Sequence, residues 1–350
     1  MDRIISHFDK KERVAPIHVD TGLSKFCNIS CVMCFGRFQN PKREYIRRDA
    51  LLQYVRDASE IGIRSLAAIG DGEPLMNPAV YEFLSLGKQL GLSMAMSTNA
   101  VTLNTEEKAK IVLESCEWIR VCICAGDREG YIRNHIADKF NVVCANIERM
   151  VNLKIKHNFK CDIGLQAVYV PGMMDEDMVK ESKLAIDFGV DYFTIKQCSL
   201  PEKNQKVNKV SFDVNQYDSP LVQEVLKKCE TMSNDRTKII PKYQTMHRKG
   251  KRLYLHCPAV PLISEISGNG DWYPCGFLFG EKPQFLKYRF GNIHEKRLKE
   301  IWESDHYWSI IKYFREKFDS EKDCHGACRL DSCNEFISEY LNPPKGINFI

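Results

Sequence analysis

The sequence predicts an α/β fold: a partial (β/α)6 TIM-like barrel over residues 1–234, with a smaller C-terminal domain over residues 235–350. Three observations carry this expectation. Strand-like and helix-like runs alternate six times between Ile17 and Ser199, which points to a parallel sheet with helices outside it. A loop dense in cysteine follows the first of those strands, at the end of a barrel where active-site loops gather. Beyond Asp235 the regular period gives way to short pieces rich in glycine, proline, cysteine and aromatic residues.

The predicted strands are Ile17–Leu23, Ser65–Ile69, Ser93–Ser97, Ile119–Ala125, Ile163–Val170 and Tyr192–Cys198. Helical spacing of apolar residues marks Ala50–Ile61 and Asp175–Phe188. The second opens with Asp175, Glu176 and Asp177, charges that suit the positive end of a helix. Right-handed crossovers then curl the sheet into a partial barrel. The stretch Leu200–Pro220, with Pro201, Glu202, Lys203 and Asn204, reads as a loop leading to one more helix, Leu221–Met232.

Side chains alternate across a strand, so the apolar set should face the helices and the rest the lumen. Ile119, Val121 and Ile123 then point outward and Arg120, Cys122 and Cys124 inward. On the sixth strand Phe193 and Ile195 point outward, leaving Tyr192, Thr194, Lys196 and Cys198 inside. His18 and Asp20 are the inward pair of the first strand. Cys124 and Cys198 fall near the C-terminal ends of their strands, so they are the candidate catalytic residues: a thiol there could return a hydrogen atom to a substrate radical. Lys196 and His18 are the candidate bases if the reaction is instead an oxidation. Cys144 and Cys229 sit at helical spacing among apolar residues and read as core.

Composition narrows the class. Fifty Lys and Arg against 46 Asp and Glu leave a net charge of +4, too slight a basic excess for a nucleic-acid binder. No apolar run reaches the ~18 residues that cross a bilayer, and Met1–Arg13 lacks the apolar stretch of a secretory signal. The expectation is a cytoplasmic protein with no nucleic-acid or membrane partner. In a reducing compartment its 15 cysteines suggest metal or catalytic use more than disulfides. The basic run Lys242, His247, Arg248, Lys249, Lys251 and Arg252 reads as a solvated loop.

Cys27, Cys31 and Cys34 have C-x3-C-x2-C spacing on one tight loop. Three thiolates can hold three irons of a 4Fe–4S cubane and leave the fourth iron open, as a reaction site requires. Gly70, Asp71, Gly72, Glu73 and Pro74 follow the second strand, and Ser97-Thr98-Asn99 ends the third. In that order and at those strand ends, the three segments resemble the radical S-adenosylmethionine (SAM) superfamily over about Ile17 to Ser199. The resemblance implies a 4Fe–4S cluster on Cys27, Cys31 and Cys34. It implies SAM held by Gly70, Asp71, Gly72 and Glu73 (the family's GGEP segment), by Ser97 and Asn99, and by Met33. Two positions depart from the family pattern. Asp71 stands where a glycine is usual, and Met33 stands where an aromatic usually meets the adenine. The chemistry implied is reductive cleavage of SAM to methionine and a 5′-deoxyadenosyl radical, which takes a hydrogen atom from an unactivated C–H bond.

The C-terminal segment holds Cys257, Cys275, Cys324, Cys328 and Cys333. Asn269-Gly270 is a hairpin signal that would bring Cys257 and Cys275 together, while Gly291-Asn-Ile-His and Leu298–Trp302 read as a turn and a short helix. This layout resembles the SPASM and twitch domains of the same superfamily, which carry auxiliary 4Fe–4S clusters. Five cysteines imply one such cluster, on Cys257, Cys275, Cys324 and Cys328, with Cys333 competing for the place of Cys328. A structural zinc site is the other reading of these thiols.

The family layout implies a small polar substrate, an aminocyclitol or sugar, that is dehydrogenated or epimerised, with flavodoxin or ferredoxin as electron donor. A peptide maturase is the enzymatic alternative. It is disfavoured because the first strand starts near Ile17 and leaves no room for a leader-binding domain ahead of it. A non-catalytic iron–sulfur or zinc carrier is the third reading.

Overall fold

The computed structural model describes residues 1–36, 43–199, 205, 208–279, 283–324 and 328–343. Residues 200–204, which open the expected polar loop, and the tail from 344 lie outside the described residues. The strands are β1 (His18–Thr21), β2 (Ser65–Ala68), β3 (Ser93–Thr98), β4 (Cys116–Cys122), β5 (Asp162–Tyr169), β6 (Tyr192–Gln197), β7 (Lys238–Pro241), β8 (Ile263–Ile266), β9 (Asp271–Tyr273) and β10 (Gly291–Asn292). They form one sheet in the order β10-β9-β8-β1-β2-β3-β4-β5-β6-β7. From β8 across to β7 every pairing is parallel; β9 and β10 add antiparallel. The sheet does not close, since β7 and β10 are its two ends. This is a partial barrel, as the alternating pattern predicts.

Two features were hidden in the sequence. β7 and β8 come from the irregular C-terminal half yet pair directly with β6 and β1, so the sheet runs through both parts of the chain. Each is only four residues long, too short to display a period. β4 also starts and stops three residues earlier than Ile119–Ala125. Its last pair in the ladder is Cys122 with Gln166, after which Cys124 takes a left-handed conformation at φ 46° and leaves the strand.

Helices cover the outer face. In Arg48–Glu60 the buried side is Ala50, Leu51, Tyr54, Val55 and Ala58, the spacing of an amphipathic helix. Asp175–Phe188 has the predicted bounds, starting on three acids and ending at Gly189 with φ 64°, which only glycine adopts freely. Pro220–Glu230 is capped by the Ser219 hydroxyl, which accepts the Val222 N–H. Around β9 the core is aromatic. Trp272 is fully buried, 5.0 Å from the Tyr307 ring centroid, and donates its indole N–H to Ser264 Oγ at 2.8 Å. Burying such rings contributes roughly 2–3 kcal/mol each and anchors the C-terminal segment on the sheet. Cys229 is in the core as expected and Cys144 is half-buried against it.

Only part of the basic run is a solvated loop. Tyr243–Arg248 is a helix whose cations are paired. Arg248 binds Asp331 at 2.6 Å and Glu335 at 2.5 Å, His247 lies 2.6 Å from Asp218, and the Arg252 side chain is only 4% exposed. The acids that neutralise it are distant in sequence, so local reading could not find them. Among the described residues no helix is long and apolar enough to cross a membrane.

Candidate active site

The three-cysteine loop leaves β1 at the C-terminal edge of the sheet. Its stem is pressed against the loop after β2. A Cβ on Gly70 would fall 2.2 Å from Gly22 Cα, and one on Gly72 would fall 2.5 Å from the Ser24 and Phe26 carbonyl oxygens. Only glycine fits this backbone-on-backbone contact. The Glu73 N–H then donates to Phe26 O at 3.0 Å. On its other side the loop hangs from the C-terminus of the helix Arg128–His135. Ser30 N–H and Val32 N–H donate to the carbonyls of His135 and Asn134, which the helix itself leaves unpaired.

Cys27 is exposed and Cys31 and Cys34 are half-buried. The three thiols act on one another electrostatically. Burial, then the Glu73 charge, pushes Cys27 up to about 12, and burial pushes Cys31 up further. Such thiols keep their protons unless a metal draws them off. Polar groups contact two of them. Asn99 Nδ2 donates to Cys27 Sγ at 3.5 Å, and His135 Nδ1 lies 2.9 Å from Cys31 Sγ. Burial pushes His135 down to about 4, so its neutral ring spends its Nε2–H on the Ile123 carbonyl. Three adjacent thiols with hydrogen-bonding neighbours fit the three protein ligands of an open cubane. Nothing in the local sequence pointed to His135, which is over 100 residues from Cys31.

The residues expected to hold SAM converge here, but their side chains play different parts. Glu73 is buried and accepts from the Thr98 hydroxyl, the Asn99 N–H at 2.8 Å and the Leu75 N–H at 3.1 Å, which locks the end of β3 beside the cysteine loop. Burial raises its carboxyl above the ordinary value. Asp71 turns away to the β8–β9 hairpin, accepting from Ser267 Oγ at 2.7 Å and Gly268 N–H at 3.0 Å. Ser97 Oγ lies 3.6 Å from Cys122 Sγ, and Met33 is buried at the foot of the loop.

In the C-terminal segment the Cys324 and Cys328 thiols act electrostatically on both Cys257 and Cys275, whereas burial alone acts on Cys333. Asn334, fully buried, donates to Cys257 Sγ at 3.3 Å and Cys328 Sγ at 4.0 Å, and Arg252 reaches Cys324 Sγ at 3.8 Å. Among the described residues no three His, Cys, Asp or Glu side chains close around a single ion.

Between the two cysteine sets lies a cavity of about 250 Å³, lined by Phe35 and Gly36 on one side and by Glu265, Phe277 and Arg329 on the other. Arg329 follows Cys328 in sequence and crosses to the barrel, binding Asp20 at 2.6 Å and Glu265 at 3.7 Å. Burial pushes the Asp20 carboxyl up, but the charges and hydrogen bonds of Arg329 and His18 bring it below the ordinary value. His18 has both ring nitrogens engaged, by Ser65 Oγ at 2.8 Å and Asp20 at 3.1 Å. Cys124 and Cys198 are 2% and 3% exposed; Cys124 Sγ lies 3.4 Å from the Val168 N–H and 3.7 Å from Gln166 O. Cys122 is the less buried thiol of that edge, 3.2 Å from Gln166 Nε2.

Comparison with known proteins agrees with this geometry. Residues 22–185 match the model of the radical SAM superfamily, and residues 257–334 match that of the SPASM iron–sulfur cluster-binding domain. A tungsten-containing aldehyde ferredoxin oxidoreductase cofactor-modifying protein of Pyrococcus furiosus is 23% identical over 80% of this chain and 79% of its own. An AdoMet-dependent heme synthase of Methanosarcina barkeri is 22% identical over 90% and 88%. An S-adenosylmethionine-dependent nucleotide dehydratase of Lacinutrix mariniflava is 32% identical over 38% of this chain and 29% of its own. Among solved structures, Streptococcus suis SuiB bound to S-adenosylmethionine shares the fold with a TM-score of 0.67, at 19% identity over 91% of this chain and 75% of that one. With its three-thiol loop, SAM segments and C-terminal cysteine site, the chain belongs to the radical SAM superfamily and is a radical SAM enzyme with a SPASM domain.

Proposed function

We propose that this enzyme abstracts a hydrogen atom from a small polar molecule of the aminocyclitol or sugar class, leading to dehydrogenation or epimerisation. The observation that carries this reading is the pair Arg329 and Glu265, which lines the cavity between the two cysteine sets and is held in place by Asp20 behind it. Charged side chains held in fixed positions suit hydroxyl and amino groups and orient them by hydrogen bonds. The names of the relatives, a cofactor-modifying protein, a nucleotide dehydratase and a heme synthase, also speak of small molecules or cofactors. When bound, the clusters and SAM supply the electron, the 5′-deoxyadenosyl radical that takes the hydrogen, and an acceptor for a second electron. Cys27, Cys31 and Cys34 are the proposed ligands of the first cluster, and Cys257, Cys275, Cys324 and Cys328 those of the auxiliary one. Flavodoxin or ferredoxin is the proposed reductant.

Between the two outcomes, burial of the proposed hydrogen donors Cys124 and Cys198 favours dehydrogenation, because a donor must touch the substrate carbon. The test is turnover with dithionite of sugars, aminocyclitols and their conjugates, in D₂O. A ketone product without solvent deuterium supports dehydrogenation. One deuterium at an inverted carbon, lost in Cys198→Ala or Cys124→Ala, supports epimerisation. Saturable binding and modification of a precursor peptide instead would overturn the small-molecule reading.

A further inference from the structure

We propose that Lys196 and Arg120 form an oxyanion subsite in the barrel lumen, which binds a phosphate or carboxylate group carried by the substrate. This deepens the small-molecule reading above and rests on it.

The two cations come from strands on either side of β5. Arg120 is in register with Gly164 and, beyond it, Tyr192; Lys196 is in register with Val168. Gly164 lies at the level of Arg120 and Tyr192, and Lys196 pairs four residues further along β5. A Cβ on Gly164 would fall 2.2 Å from the Tyr192 ring, so that ring lies across β5 where a side chain would otherwise stand. The Arg120 guanidinium packs 4.5 Å from the Trp118 ring centroid and 6.0 Å from that of Tyr192, which holds its plane fixed. Its Nη1 donates to Gln166 Oε1 at 3.3 Å, while its Nε is buried with no partner.

Among the described residues no carboxylate lies within ion-pair distance of Arg120 or Lys196, and Lys196 makes no hydrogen bond there. Yet both are half-buried. The lumen acids cannot serve, because Asp20 and Glu265 are already gripped by Arg329, and Asp20 also by His18. Arg329 adds its own positive charge to those that act on Lys196. Half-buried charges without partners are costly, and folds retain them where a ligand supplies the missing charge. A planar guanidinium and an ammonium that act on each other in one lumen are a pairing that recognises an oxyanion.

The test uses holoenzyme with both clusters and saturating SAM, so that the methionine carboxylate site is filled. Inorganic phosphate and succinate are titrated separately by calorimetry under anaerobic conditions in a buffer without oxyanions. The expected result is saturable binding of at least one of them, at one per chain; which one binds tells phosphate from carboxylate. Lys196→Gln and Arg120→Gln should each weaken it about tenfold or more, and Lys196→Arg should restore most of it. Lys88→Gln, at an exposed ion pair with Glu117, should change nothing. Iron content and circular dichroism check that the variants fold. No binding of either anion to wild type, or binding indifferent to both Gln variants, overturns the subsite. Turnover of a neutral sugar with no such binding would sink the subsite and spare the small-molecule reading. Turnover of a peptide sinks that reading, and the phosphate and succinate titrations still decide the subsite.

Discussion

At the scale of single residues, polar side chains buried for a purpose govern the site. Burial, reinforced by the positive charges of Arg120 and Arg329, pushes Lys196 down to about 7. A folded value below the ordinary 10.5 means that the ammonium sheds its proton near neutrality instead of in base. Acylation of Lys196 by acetic anhydride, followed by mass spectrometry, should therefore rise with a midpoint near pH 7, while surface lysines react only at much higher pH. Glu73 is a different case, because its carboxylate accepts three hydrogen bonds and organises the end of β3. Glu73→Gln replaces one acceptor by a donor facing donors, at a cost of about 1–3 kcal/mol. SAM binding measured by calorimetry should weaken about tenfold, with the iron content unchanged.

At the scale of elements, the loops after β1, β2 and β8 act as one unit. Gly22, Gly70, Gly72 and Gly268 let their backbones touch, and Asp71 ties the second to the third. Asp71→Ala strands the Ser267 hydroxyl and the Gly268 N–H, so stability should fall by about 1–3 kcal/mol in denaturant titration, with weaker SAM binding. The Arg329 bridge joins the loop of Cys328 to β1 and β8. Arg329→Met leaves Glu265 a buried acid without its cation and Asp20 with His18 alone, which should cost about 3–5 kcal/mol. Asp20 titrates below its ordinary value, so its stabilising share is present above pH ~4 and is lost as pH falls through the lowered value. The difference between wild type and Arg329→Met should accordingly persist across neutral pH and shrink only in acid. An unchanged difference at pH 2–3 would argue against Asp20 as the partner that matters.

At the scale of the whole molecule, one sheet carries both cysteine sets, because β8 pairs with β1 and places the auxiliary segment at the barrel mouth. Protein reconstituted without oxygen should hold about eight irons per chain, from two four-iron clusters. Replacing Cys27, Cys31 and Cys34 by Ala should leave about four and abolish 5′-deoxyadenosine release. Replacing Cys257 and Cys275 should also leave about four, whereas Cys333→Ala should leave eight. Stoichiometric zinc with about four irons in wild type would refute the auxiliary cluster.

Much of this was legible in the linear chain, and the reason is locality. Six strands, the helix Asp175–Phe188, the hairpin at Gly270 and the loop of Cys27, Cys31 and Cys34 all depend on residues within a few positions of one another. Periodicity, turn chemistry and ligand spacing therefore reveal them. The cysteines Cys257, Cys275, Cys324, Cys328 and Cys333 were visible too, but which four of them hold a cluster depends on which thiols the fold turns toward one another. Only the tertiary structure decided the rest. β7 and β8 are too short to carry a period. Arg248, Lys249 and Arg252 in the run at Lys242–Arg252 pair with acids tens of residues away, which local charge patterning cannot see. His135, Asn334 and Arg329 gain their roles across gaps in sequence that a fold alone closes. Cys124 and Cys198 follow the same logic: alternation along a strand can assign a face, but β4 ends at Cys122, and packing beyond that point determines which thiols remain open to the lumen.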